Sequence, residues 1–455
     1  MTWPLLLALA ASPDWVPSRW RSSDLRSLEL LRDSPVNCLL LERAHWSAQF
    51  SSEAAKTGIA TLGLVHPADE LKELAAHTKA AGLAGIVFEG AFEDAAVGPA
   101  RAALKDSGLA VVDLGYRTNM RLEGTEPVLG TMQGVWPGIN ATEDGTAKAA
   151  PSGAPWIDTN SGFLRFVRSI STARIWIAYA PPKDTVIPLA RYLQAIGDAA
   201  MVGARWVLAL DAGFEKRLLA REEAALKDWR RITQLLRFYE EHREWRALPL
   251  YGQLALVQDV ESGGLVSGGI LDMISVKHTP VRPVPSRLLS DQRMEGSRMA
   301  VNVDPTLLDE AKKEILRRFT RGGGTLLTAP PGWKFPPQRP GQITLDAEDI
   351  EKLDGIWKEV NSMTGRRNLG ARLFNVSSIL SSLSGPVSGK PLVLHMVNYS
   401  DYAVENVTAH ISGKYTKAVC HEPGVVPRVL ATYEAEDGTG VDIDKVSSVA
   451  VLVLE

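Results

Sequence analysis

Residues 59–90, IATLGLVHPADELKELAAHTKAAGLAGIVFEG, set two apolar runs on either side of a polar segment of helical period, and their reading decides the fold. The runs 59–66 and 83–90 are nearly continuous in apolar residues rather than alternating, as in parallel strands buried on both faces. Between them, 68–82 opens with Asp69 and Glu70 and stops at Gly82, which suits the helix dipole and a C-terminal glycine cap.

Working outward, similar runs occur at 37–42, 109–115, 128–136, 155–158, 174–180 and 205–211, making eight in all. Residues 218–245 form the longest helical candidate, with Trp229, Ile232, Leu236 and Tyr239 on one stripe. Eight strand and helix units fit an α/β chain folded as a (β/α)8 TIM barrel better than an open doubly wound sheet, although 137–154 is too Gly- and Ala-rich for a full helix. The barrel domain is read as 35–250, preceded by a signal-like segment and N-terminal extension, 1–34.

The pattern restarts at 251–259, 272–278, 297–304 and 324–331, read as a small flavodoxin-like α/β domain over 251–335. No G-x-G-x-x-G occurs there, so no nucleotide is expected. A linker and helix fill 336–365, and alternating runs over 366–455 read as a C-terminal antiparallel β-sandwich.

Composition narrows the function classes. The hydrophobic fraction is 45%, the charged fraction 23% and the net charge -3, with basic and acidic residues interspersed, which speaks against nucleic acid as a partner. Cys38 and Cys420 are the only cysteines and the histidines are scattered, so no metal site and no cofactor are expected. Residues 3–11 are an apolar run containing Ala8-Leu9-Ala10, the shape of a signal-peptide core though without a preceding Lys or Arg. Secretion, or a periplasmic location, is the expectation, with no membrane span elsewhere.

In such a barrel the chemistry sits at the C-terminal ends of the strands. Those ends hold Glu42, His66, Glu89, Asp113, Trp136, Asp158, Tyr179 and Asp211, of which five are carboxylates. Each carboxylate could instead cap a helix or close a barrel salt bridge, but five together point to a site. Trp46, Tyr116, Trp136, Trp156 and Tyr179 lie beside them, and an apolar ring face flanked by carboxylates is a physical solution to binding a sugar; the alternative is that the rings fill the barrel mouth. Asp113 and Asp158 are the expected catalytic pair, with Glu89 and Asp211 in reserve. Trp46, Trp136, Trp156, Asn160, Tyr179 and Glu42 are the expected substrate-binding residues, Asn160 sharing with Asp158 the alternative of capping the helix that begins near Ser161.

The three-domain order, the stretch LHMVNYSDYAVENVTAHISGKY (394–415), WPG (136–138) and APWIDTN (154–160) resemble glycoside hydrolase family 42 and its secreted relatives. The resemblance implies a barrel, a flavodoxin-like domain associated with homo-oligomers, a carbohydrate substrate and two catalytic glutamates after strands four and seven. By the count above those strands end in Asp113 and Tyr179, so neither glutamate carries over. Aspartates after strands four and six, as in α-galactosidase-type barrels, coincide with Asp113 and Asp158. Three readings stay open: a glycoside hydrolase, a catalytically silent carbohydrate-binding barrel, and a lyase or aldolase, against which stands the lack of a strand-end lysine.

Overall fold

The computed structural model describes residues 14–137, 139–141, 147–149, 159–264, 279–330, 333, 347–387 and 391–455. Backbone contacts divide the chain into two compact units, the first from 1–134, 173–187 and 205–240, the second from 135–172, 188–204 and 241–455.

The first unit holds an eight-stranded parallel sheet whose order follows the sequence: β1 Pro17–Arg19, β2 Cys38–Leu41, β3 Ala60–Val65, β4 Gly85–Glu89, β5 Ala110–Gly115, β6 Val128–Thr131, β7 Arg174–Ile177 and β8 Arg205–Trp206. The sheet rolls up until Leu208, just past β8, meets β1. Its carbonyl accepts from the Arg19 N–H at 2.7 Å and its N–H donates to Pro17 at 3.1 Å, joining the ring. Side chains alternate across each strand. One set, including Cys38, Leu40, Leu62, Leu64, Val87, Val112 and Leu114, fills the interior. The other set, including Val65, Ile86, Phe88 and Val111, packs outward against Leu74, Val97 and Leu104 of the helices.

The membership of the eight differs from the sequence expectation in two places. β1 lies within the stretch read as an extension, because Pro-Ser-Arg is too short and too polar to register as an apolar run. The strand expected at 155–158 lies outside the described residues, and β6 pairs directly with β7, Val128 opposite Arg174 through Thr131 opposite Ile177, leaving no place for a strand between them. Every strand from 38 to 131 therefore moves up one in the count: Glu89 closes β4, and Asp113 belongs to β5.

Gly85 shows how tightly β4 and β5 are packed. A Cβ there would lie 2.2 Å from the Ala110 carbonyl oxygen. Gly85→Ala is expected to destabilise the protein by about 1–3 kcal/mol, read as a lower denaturant midpoint at unchanged m.

In the second unit, a four-stranded parallel sheet has the order Val281–Pro285, Leu254–Gln258, Met299–Asn302, Thr325–Thr328. Two antiparallel sheets follow, one built around Val404–Ile411 and Gly438–Val446, the other around Leu392–Asn398 and Val449–Leu454. Val407, Ala409 and Ile443 of one sheet share a core with Leu394, Met396 and Leu452 of the other, the face-to-face packing of a sandwich. Helices Ser161–Ile170 and Leu189–Ala200 belong to this unit. Both are buried along most of their length. Gln194 donates to the Asn398 carbonyl at 3.2 Å, Arg165 to that of Ser381 at 2.9 Å, and the Tyr399 hydroxyl to the Asp198 carboxylate at 2.5 Å. Among the described residues no helix is long and apolar enough to cross a membrane.

Candidate functional site

Continuing the two-residue period of β1 to β4 past the interior leucines and valines brings Arg19, Glu42, His66 and Glu89 onto the inward side, at the C-terminal end of the barrel. These four side chains meet. Arg19 forms a charge-assisted hydrogen bond with Glu89 and sits 3.8 Å from Glu42. The His66 ring reaches both glutamates, Nε2 at 3.0 Å from Glu42 and Nδ1 at 3.8 Å from Glu89. Each cation thus lies between the same two carboxylates. Glu89 and Arg19 form the floor, 4% and 10% exposed, while Glu42 and His66 are open at 37% and 38%.

Two further residues extend the cluster. Arg21, just past β1, donates its backbone N–H to Glu215 at 3.0 Å and holds its guanidinium 3.6 Å from the same carboxylate. Glu215 lies in the first turn of helix Ala212–Leu219. Burial raises its pKa above the ordinary carboxylate value, against the pull of Arg21 and His45. Glu42 is shifted the other way, because its hydrogen bond to His66 favours the anion, with added attraction from Arg19 and Arg21. Arg21 acts on both carboxylates, and carboxylates driven in opposite directions are what acid–base chemistry needs.

The same bond raises His66, with Glu89 and Asp69 adding to the effect of Glu42. A raised imidazole stabilises the fold fully below its ordinary value and loses that contribution as pH rises through the raised one. A lowered carboxylate does so above its ordinary value and loses it as pH falls. The pair is therefore strongest between roughly pH 4.3 and 6.5, and at this exposure is worth under about 1 kcal/mol. The His66 ring signals in an NMR titration are expected to report a pKa above about 6.5 that falls in Glu42→Gln; an unchanged midpoint would mean the two do not pair in solution.

The other expected site residues fall elsewhere. Asp113 has the register of Val111, on the outer side of the sheet, and bonds Arg101 of helix Asp94–Asp106 at 2.6 Å. Asp211 is buried and caps helix Ala212–Leu219, accepting from the Phe214 N–H at 2.9 Å and the Ile187 N–H at 3.2 Å. Trp46 lies over Gly63 on the outer face of β3 and donates its indole N–H to the Leu41 carbonyl at 2.9 Å. Trp136 is 1% exposed, edge-on to Tyr192 at 5.2 Å, and has no face free for a sugar. Asn160, fully buried, clamps Val135 through its N–H at 2.8 Å and its carbonyl at 2.9 Å. Its own N–H donates to Asp198. Tyr179 is exposed beyond β7. Asp158 and Trp156 lie outside the described residues. Sequence reasoning missed Arg19, Arg21 and Glu215 as site residues; only recognition of β1 as a strand would have drawn attention to the two arginines.

Both cysteines are buried and free. Among the described residues no group of three His, Cys, Asp or Glu side chains is placed to hold a metal ion.

Fold and site together define an α/β protein with an eight-stranded parallel barrel and a charged inward cluster on its first four strands. No protein-family model matches the chain, and no curated protein matches it in sequence. Among solved structures, α-L-fucosidase isoenzyme 2 from Paenibacillus thiaminolyticus superposes with a TM-score of 0.56 at 9% identity, over 96% of each chain. That likeness is one of fold. A rhamnosidase from Novosphingobium sp. superposes with a TM-score of 0.46 at 9% identity over 90% of this chain, which spans 47% of the rhamnosidase.

Proposed function

We propose that the protein is a glycoside hydrolase working at the barrel mouth, with Glu42 and Glu89 as the inward carboxylates and Glu215 as the proton donor. One observation carries this reading: glutamates from β2 and β4 face into the barrel at its C-terminal end, on either side of His66. Glycoside cleavage requires one carboxyl group to protonate the departing oxygen and another to attack the sugar or activate water. Glu42, open and held as the anion by His66, suits the second task; Glu215, raised by burial, suits the first.

The overall likeness to an α-L-fucosidase supports a carbohydrate substrate. The resemblance to family 42 gains one point from the recount, since Glu89 closes β4, and loses another, since β7 leads into Ala178 and Tyr179 with no glutamate. The four-stranded sheet, with its order two-one-three-four, is read as flavodoxin-like. Secretion by way of the run at 3–11 belongs to the same proposal.

The test is a panel of chromogenic glycosides. Wild type and Asp113→Asn are expected to release the chromophore equally, because Asp113 faces the helices, while Glu89→Gln is expected to be nearly inactive. Asp158→Asn belongs in the set as the other candidate for a second carboxylate. The catalytically silent carbohydrate-binding reading is favoured by the missing β7 carboxylate and by the ion pairing of both inward glutamates; binding without release by any variant or the wild type would establish it.

A further inference from the structure

We infer a second binding site, for a neutral polyhydroxylated molecule of the size of a single sugar ring, on the outer wall of the barrel under the β5–β6 connection. That connection, residues 116–127, contains only the short turn Arg117–Asn119 where a barrel unit ordinarily supplies a covering helix. A cavity of about 260 Å3 lies there. Gly115 deepens it: on the outer side of β5, a Cβ there would have its nearest neighbours at 3.8 and 3.9 Å.

The lining has the chemistry of hydroxyl recognition. Asp113, Asn119 and Glu126 offer acceptors, and Arg101, Arg121 and the Asn119 amide offer donors. Arg101 is fixed from three sides, by Asp113 at 2.6 Å, by Asp94 at 3.2 Å and by the Phe88 ring at 5.4 Å, so the polar groups are held in place before a ligand arrives. The Arg101 Nε is buried and has no hydrogen-bond partner among the described residues. Phe92, edge-on to Phe88 at 5.4 Å, supplies an apolar wall. Two guanidiniums face three carboxylates, Asp94, Asp113 and Glu126, a net charge of one negative that disfavours anions. The volume falls just below the usual range of about 300–1,000 Å3 for small-molecule pockets, which points to one ring rather than a chain. Asp113 thus has a ligand-binding role here, on the side of the sheet opposite to Glu42 and Glu89.

The experiment titrates D-glucose, D-galactose, D-mannose, L-fucose and L-rhamnose into the full chain, by saturation-transfer NMR and calorimetry. At least one is expected to bind wild type and Glu42→Gln alike. Gly115→Leu, whose Cβ would stand at ordinary contact distance, 3.8 Å, from the Gly90 carbonyl oxygen and whose side chain would occupy the cavity, and Asp113→Ala, which removes the fixed acceptor, are each expected to weaken that sugar by at least about ten-fold. Unchanged thermal unfolding of either variant certifies its fold, and unchanged chromophore release by both would separate this site from the mouth. The inference is overturned if no sugar of the panel binds saturably, if binding survives both substitutions, or if it is lost in Glu42→Gln and kept in Gly115→Leu.

Discussion

Glu42→Gln is expected to lower kcat for a cognate glycoside by about a hundred- to ten-thousand-fold, the range carried by a positioned acid or base. The amide keeps the size of the side chain and still meets the His66 ring, so substrate binding should change far less than turnover, and the loss should appear in kcat more than in KM. Glu215→Gln is expected to lose turnover on the same scale and to remove the alkaline limb of the pH profile, because that limb reports the group that must arrive protonated. Burial is what raises the pKa of Glu215. If the alkaline limb survives in Glu215→Gln, the proton comes from another group, and His66, which Glu42 shifts upward, is the next to replace.

A pH-dependent effect on stability is expected in the second unit, at Tyr399→Phe. Asp198 is fully buried, accepting from the Tyr399 hydroxyl at 2.5 Å and from the Asn160 N–H at 2.6 Å. Burial raises its pKa despite these donors. Removing the hydroxyl leaves a buried acceptor short of one partner, a loss of about 1–3 kcal/mol. The sign with pH follows from the direction of the shift. A carboxyl raised in the folded state favours folding while protonated, and that contribution is lost as pH rises through the raised value. The deficit of Tyr399→Phe should therefore grow from acid toward neutral pH, where the ionised group depends most on its donors. Denaturant melts at several pH values measure it, and a deficit that is absent or largest in acid would contradict the assignment.

Much of the barrel was legible because strands such as Gly85–Glu89 are buried on both faces and read as unbroken apolar runs. Glu42, His66 and Glu89 were legible for the same reason, each directly following or closing such a run. β1 was not, since a strand of three residues with Ser18 and Arg19 in it has no period to detect. That single omission misnumbered the strands. Asp113 was misjudged for a different reason. Being near the end of a strand does not say which side a residue faces, and here Val112 and Leu114 point inward, leaving Asp113 to the helices. Asn160 looked like a site residue because its type suits one, but its side chain is used up by the backbone of Val135, a contact across 25 residues that no local pattern reports. Trp136 was legible only as a large ring near a strand end; whether such a ring is open or buried depends on residues far away, here Tyr192.

The most direct test of the mouth as the working site is a side-by-side assay of wild type and Glu42→Gln on a panel of natural glycans, following both bound glycan and newly released reducing sugar. The account predicts that at least one glycan is bound by both proteins and cleaved by the wild type alone. Equal cleavage by Glu42→Gln, or neither binding nor cleavage of any glycan by the wild type, would contradict it.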